Sequence, residues 1–181
     1  MSLNISKGNM YKFITHTWNT VKGECYHDCS YCYMKRWGKL NPVKFDDKEL
    51  KTDLGSGNFI FVGSSCDMFA EDIKVEWIKS TLDCCKNFDN RYFLQTKNTE
   101  RLFALAFLFN DLQDKKFSIC TTFETNRDYP EIMNKSPKPT DRIKWFHSSG
   151  FADLDKYITI EPILDFDLDE MLKAIKAANP K

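Results

Sequence analysis

The segment Gly23-Glu24-Cys25-Tyr26-His27-Asp28-Cys29-Ser30-Tyr31-Cys32-Tyr33 decides how the rest of the chain is read. Its cysteines are spaced C-x3-C-x2-C, and three thiolates in one short loop can converge on a compact metal centre, either zinc or an iron–sulfur cluster. A structural zinc site closes its tetrahedron with a fourth Cys or His. No second cysteine pair follows at such spacing, and His27, lying between two ligands, reads as a loop residue or a support for them. The loop is expected to leave one coordination position open.

Seven cysteines in 181 residues, an odd number, argue against a disulfide framework. Met1 to Tyr11 has no basic region followed by an apolar run of signal length, and no apolar stretch reaches the ~18 residues of a membrane span. A cytoplasmic, single-domain protein is expected over 1–181, with no membrane partner. In that compartment thiols stay reduced, so Cys84, Cys85 and Cys120 read as core residues, and Cys66 as packing or a bystander. The 42% hydrophobic content suffices for one core, which excludes a disordered tail protein. Twenty-six basic residues balance 26 acidic ones, so net charge points to no polyanionic partner.

Outward from the loop, short apolar runs at Tyr11 to Thr17, Phe59 to Val62, Tyr92 to Leu94, Phe117 to Cys120 and Tyr157 to Ile160 read as buried strands. Between them, Val75, Ile78, Leu82 and Cys85 share a helical face, as do Leu102, Leu105, Ala106 and Phe109. Leu168, Met171, Leu172, Ile175 and Ala178 form another, behind an acidic first turn at Asp167, Asp169 and Glu170. Alternation of buried strands with helical connections indicates an α/β fold with a parallel sheet. Chemistry then gathers at the C-terminal ends of the strands. There the runs lead into Ser64, Ser65 and Asp67, into Lys97, into Thr122 and Glu124, and into Glu161. The stretch 126–140, with three of six prolines, is expected to be a lid loop. Arg142, Lys144, Trp145 and His147 read as an exposed helix with a solvated basic side.

The cysteine spacing, with Tyr31 as the aromatic of C-x3-C-x-aromatic-C after the first strand, resembles the signature of the radical S-adenosylmethionine (radical SAM) enzymes. Thr17-Trp18-Asn19, Phe61 to Phe69, Gln95-Thr96-Lys97 and Ile160-Glu161-Pro162 resemble phage-associated radical SAM proteins of unknown function, which are themselves similar to spore photoproduct lyase. The resemblance implies a partial (β/α) TIM-like barrel of five to six units and reductive cleavage of SAM to a 5′-deoxyadenosyl radical. It also implies that Cys25, Cys29 and Cys32 hold a four-iron four-sulfur (4Fe-4S) cluster and that Tyr31 packs beside the cluster or the adenine. Ser64, Ser65 and Asp67 then stand where the methionine amino group is received. Lys97 stands for its carboxylate, Thr122 and Glu124 for the ribose, and Glu161 for the pocket.

A small flavodoxin- or ferredoxin-type electron donor is implied as partner. A sixth strand is not evident, which leaves an open edge where the chain can self-associate. Nucleic acid is not the favoured substrate, since net charge is zero and no interleaved aromatic and basic series is evident, although the basic stretch at Lys135, Lys138, Arg142 and Lys144 could contact phosphate. The competing reading is a non-catalytic zinc or iron–sulfur module for folding or electron transfer. Neither GxxxxGK nor GxGxxG occurs, which argues against nucleoside triphosphate chemistry.

Overall fold

The computed structural model describes residues 3–7, 11–109, 116–147, 151 and 154–181. Its main sheet runs β1 (Asn4–Ile5), β2 (His16–Trp18), β5 (Phe59–Val62), β6 (Arg91–Gln95), β7 (Phe117–Thr122) and β8 (Asp155–Thr159), in that spatial order. β1 pairs antiparallel with β2, and the other neighbours are parallel. A small ribbon of β3 (Val21–Lys22) and β4 (Lys44–Phe45) brackets the cysteine loop. The parallel order demands crossovers, and helices supply those after β5: α1 (Val75–Lys86) leads to β6, α2 (Thr99–Ala104) to β7, and α3 (Pro130–Met133) with α4 (Pro139–Phe146) to β8, while α5 (Leu168–Ala178) follows the last strand. Five parallel strands match the five apolar runs; among the described residues no sixth follows.

Strand alternation divides the core in two. Ile60, Val62, Tyr92, Leu94, Phe117 and Ile119 face the helices and join the larger cluster. Phe59, Phe61, Phe93 and Cys120 point to the other face, where Ile14, Tyr11 and Tyr157 join them. Because both faces are buried, these strands lack polar alternation.

Four expectations change. The first strand is shorter and later than Tyr11 to Thr17, because Tyr11 and Phe13 leave the ladder to stack among Phe59, Phe93 and Tyr157, with Tyr11 4.8 Å from Phe93 between ring centroids. The Leu102 to Phe109 face spans α2 and a separate 3-10 turn at Ala106–Phe109, though Leu102, Leu105 and Phe109 stay buried. Stretch 126–140 is not a period-free loop: Pro130 opens α3 and Pro139 opens α4, positions where the missing N–H costs nothing. Lastly, Arg142 is not on a solvated face but fully buried beside Ile143 and Phe146, while Lys144 and His147 stay exposed. Among the described residues no helix is long and apolar enough to cross a membrane.

Candidate active site

The cysteine loop follows β2 and the β3 strand, as the parallel fold requires. It is wound by turns that start at the cysteines: the Asp28 amide donates to the Cys25 carbonyl at 3.1 Å, Cys32 to Cys29 at 3.1 Å, and Lys35 to Cys32 at 3.0 Å. A 3-10 turn at Tyr33–Trp37 continues the coil. The segment around α3 braces it from outside. The Ser30 amide donates to the Ile132 carbonyl at 2.8 Å, Lys135 donates to the His27 carbonyl at 3.1 Å, and Asn134 reaches the Asp28 carbonyl at 2.5 Å.

From inside, His27 latches the loop to the strand rim. Its ring is buried, with Nε2 2.8 Å from Asp67 Oδ2. The same carboxylate accepts from the Thr96 hydroxyl at 2.9 Å, the Lys97 amide at 2.8 Å and the Phe69 amide at 2.9 Å. Burial would raise the Asp67 pKa, but His27 and these amides hold it below the usual carboxylate range. His27 is shifted upward: burial opposes this, and the Asp67 carboxylate outweighs it. Since Asp67 accepts at Nε2, Nδ1 is left over. Among the described residues it is the one buried side-chain nitrogen or oxygen with no hydrogen-bond partner.

A second network joins Tyr31 to the ends of β6 and β7. Glu124, fully buried, takes Arg142 at 2.7 Å on one oxygen and Lys97 at 2.5 Å on the other, where the Tyr31 hydroxyl also donates. Lys97 further donates to the Tyr31 oxygen at 3.0 Å and lies 5.0 Å from the ring centroid. Arg142 spends its other donors on the Pro137 and Thr122 carbonyls and the Ser136 hydroxyl. Burial favours a neutral Glu124, yet Lys97 and Arg142 keep its pKa below the usual value. Burial, then Glu124, pushes the Tyr31 phenol up.

The thiols differ. Cys25 falls to about 7, chiefly because Cys66 hydrogen-bonds to it, and Cys66 rises correspondingly. Cys66 is therefore a neighbour of the loop rather than a bystander. Cys29 is raised by burial. Cys85 and Cys120 lie in the core, the latter pushed up to about 12 by burial, and the half-buried Cys84 donates to the Leu50 carbonyl at 3.6 Å.

Of the remaining sequence-derived residues, Ser64 meets Asn19 at 3.2 Å, and the Ser65 amide donates to the same Asn19. Thr122 is buried and accepts from Gln95 at 3.1 Å, while Glu161 stands exposed beyond β8. Tyr31, Asp67, Lys97, Glu124 and Thr122 are thus brought together. Sequence reasoning passed over His27 as Asp67's partner and Arg142 as Glu124's. Nothing local marks Arg142, which lies 18 residues from Glu124.

Two solved structures share this architecture. A double mutant of spore photoproduct lyase with bound AdoMet and dinucleoside spore photoproduct superposes with a TM-score of 0.71 over 98% of this chain, at 12% identity. The chain folds like spore photoproduct lyase. Spore photoproduct lyase complexed with dinucleoside spore photoproduct gives 0.70 over 96%, at 13% identity. The chain spans about half, 55%, of each lyase chain. No family model matches the sequence, and no curated protein matches it.

The donor set suits a thiophilic cluster. Three cysteines share one braced loop, Cys25 ionises near neutrality, and a buried ring nitrogen beside them lacks a partner. Among the described residues no three His, Cys, Asp or Glu side chains are already gathered for a metal ion.

Proposed function

We propose that the chain is a radical SAM enzyme. The reading rests on one coincidence: a C-x3-C-x-aromatic-C loop follows the first parallel strand of a chain that folds like spore photoproduct lyase. Cys25, Cys29 and Cys32 would hold the 4Fe-4S cluster. Cluster and SAM together supply a carbon-centred radical for hydrogen abstraction. The narrower likeness to phage-associated proteins rests on the rim motifs alone.

This chain's own residues orient and shield. Asp67 is engaged by four donors, so its role is to hold the cluster loop through His27 rather than to receive the methionine amino group by itself. Ser64 and Ser65, beside Asn19, are left as polar contacts for that end of SAM. Lys97 and Glu124 are tied to each other. A ribose or a carboxylate entering there exchanges for the Lys97–Glu124 contact, with Thr122 and Tyr31 alongside. Glu161, exposed beyond the edge strand, is assigned to substrate or cofactor.

Both lyase structures carry a dinucleoside photoproduct. That moves the substrate reading for this chain toward a nucleic acid. A small flavodoxin- or ferredoxin-type protein would deliver the electron, and the β8 edge, on which Lys181 alone bonds to Lys156 among the described residues, is the candidate site of self-association.

Anaerobic reconstitution with iron and sulfide, then dithionite and SAM, tests the reading. The expected product is 5′-deoxyadenosine, with Cys29→Ala unable to load the cluster. A fully loaded cluster that yields none would instead support the non-catalytic iron–sulfur module.

A further inference from the structure

The turn that continues the cysteine loop carries an unusual surface. Trp37 is 67% exposed and Tyr33 51%, although burying rings of this size is favourable. Arg36 stacks between them, its guanidinium carbon 5.0 Å from the Trp37 ring centroid and 5.7 Å from that of Tyr33. Across the loop, Lys135 lies 5.2 Å from the centroid of exposed Tyr26. From Cys29 to Phe45 the chain holds four cations, Lys35, Arg36, Lys39 and Lys44, and no acid, in a protein whose charges otherwise balance. All four are exposed; Lys35 is the one clamped to the loop, through Asp28 at 2.6 Å.

Interleaved rings and cations are therefore present after all, in the stretch from Tyr31 to Lys39. They escape a search for overall charge because acidic residues elsewhere cancel them.

We propose that this surface is a stacking platform for single-stranded nucleic acid. Each base offers a face to Trp37, Tyr33 or Tyr26, and successive phosphates meet Arg36, Lys39 and Lys44. The stacked cations already hold the rings in place, so little side-chain freedom is lost on binding. Tyr26 directly follows Cys25 and Tyr33 directly follows Cys32, so the platform is continuous in sequence with the cysteine loop. The inference rests on the nucleic-acid reading of the substrate above and adds the surface that would seat it.

The test is fluorescence anisotropy of a labelled oligo(dT) strand with the purified chain at low salt, a measurement that needs neither cluster nor turnover. Binding is expected, weakened about tenfold by Trp37→Ala and again by Arg36→Ala, with affinity falling steeply as salt rises. Polyglutamate, an anion without bases, should bind more weakly and ignore Trp37→Ala. Circular dichroism should show both variants folded, since the two side chains are exposed. Absence of oligonucleotide binding, or binding indifferent to Trp37→Ala, overturns the proposal. It also falls if Trp37→Ala weakens only the binding of an acidic ferredoxin, which would assign the surface to a protein partner. None of these outcomes bears on whether the loaded chain cleaves SAM, so the two readings fail separately.

Discussion

The Glu124 carboxylate and the Arg142 guanidinium meet at 2.7 Å, both side chains wholly withdrawn from water. Removing one member of such a pair strands the other charge, which typically costs about 3–5 kcal/mol. Arg142→Met is therefore expected to destabilise the fold by about 3 kcal/mol, the lower end of that range, because Lys97 still faces Glu124. Urea unfolding followed by circular dichroism measures it. A loss under about 1 kcal/mol would mean that water reaches the carboxylate.

Acid should find the same pair. Glu124 titrates below its ordinary value of 4.5 in the folded chain, because Lys97 and Arg142 outweigh burial. A depressed carboxyl binds fewer protons folded than unfolded, so its stabilisation is complete above the unfolded value and is lost as pH falls through the folded one. Asp67, depressed from 3.8, acts in the same direction. Melting temperature should hold steady down to about pH 5 and drop below it. In Glu124→Gln the drop should be shallower, and an unchanged acid profile would show that Glu124 is not linked.

Asp67 gives a sharper test of what anchors the cysteine loop. Its two oxygens accept from His27, Thr96 and two backbone amides, so Asp67→Asn turns an amide NH2 donor toward donors. A buried donor left unmatched costs about 1–3 kcal/mol. The change should also free His27, raising amide hydrogen exchange across 24–33 more than across α1. If exchange rises uniformly, Asp67 serves general stability and not the loop.

How much of this was legible in the sequence follows from the range of the interactions. The parallel sheet and its rim could be read because strands buried on both faces are apolar at every position, a local property. Cys25, Cys29 and Cys32 fall in eight residues and announce themselves. The partners of the site residues do not: Asp67 finds His27 40 residues away, and Glu124 finds Arg142 across a helix that looked merely basic. Prolines misled for a similar reason. Pro130 and Pro139 punctuate a loop in one context and start a helix in another, and only tertiary packing separates the two, against the cysteine loop for α3 and against α2, α5 and β7 for α4.

Gly23 sets where that loop begins. Its φ is +114°, and a β-carbon there would stand 2.7 Å from the Pro42 carbonyl oxygen, 2.8 Å from that of Asn41 and 2.9 Å from Val43 Cα. All three are backbone atoms, so no side chain can rotate aside. The β3–β4 ribbon and the Glu24 amide bond to Asn41 at 2.8 Å hold that backbone close. Gly57 provides the control, since its φ of +71° is also left-handed but nothing lies within 4 Å of the added carbon. Gly57→Ala should cost about 1 kcal/mol for the backbone conformation alone. Gly23→Ala adds the clash and should cost at least about 2 kcal/mol more, with the Glu24 amide exchanging faster as the ribbon is pushed off. Equal melting temperatures for the two variants would show that the ribbon yields freely and does not fix the entry to the cysteine loop.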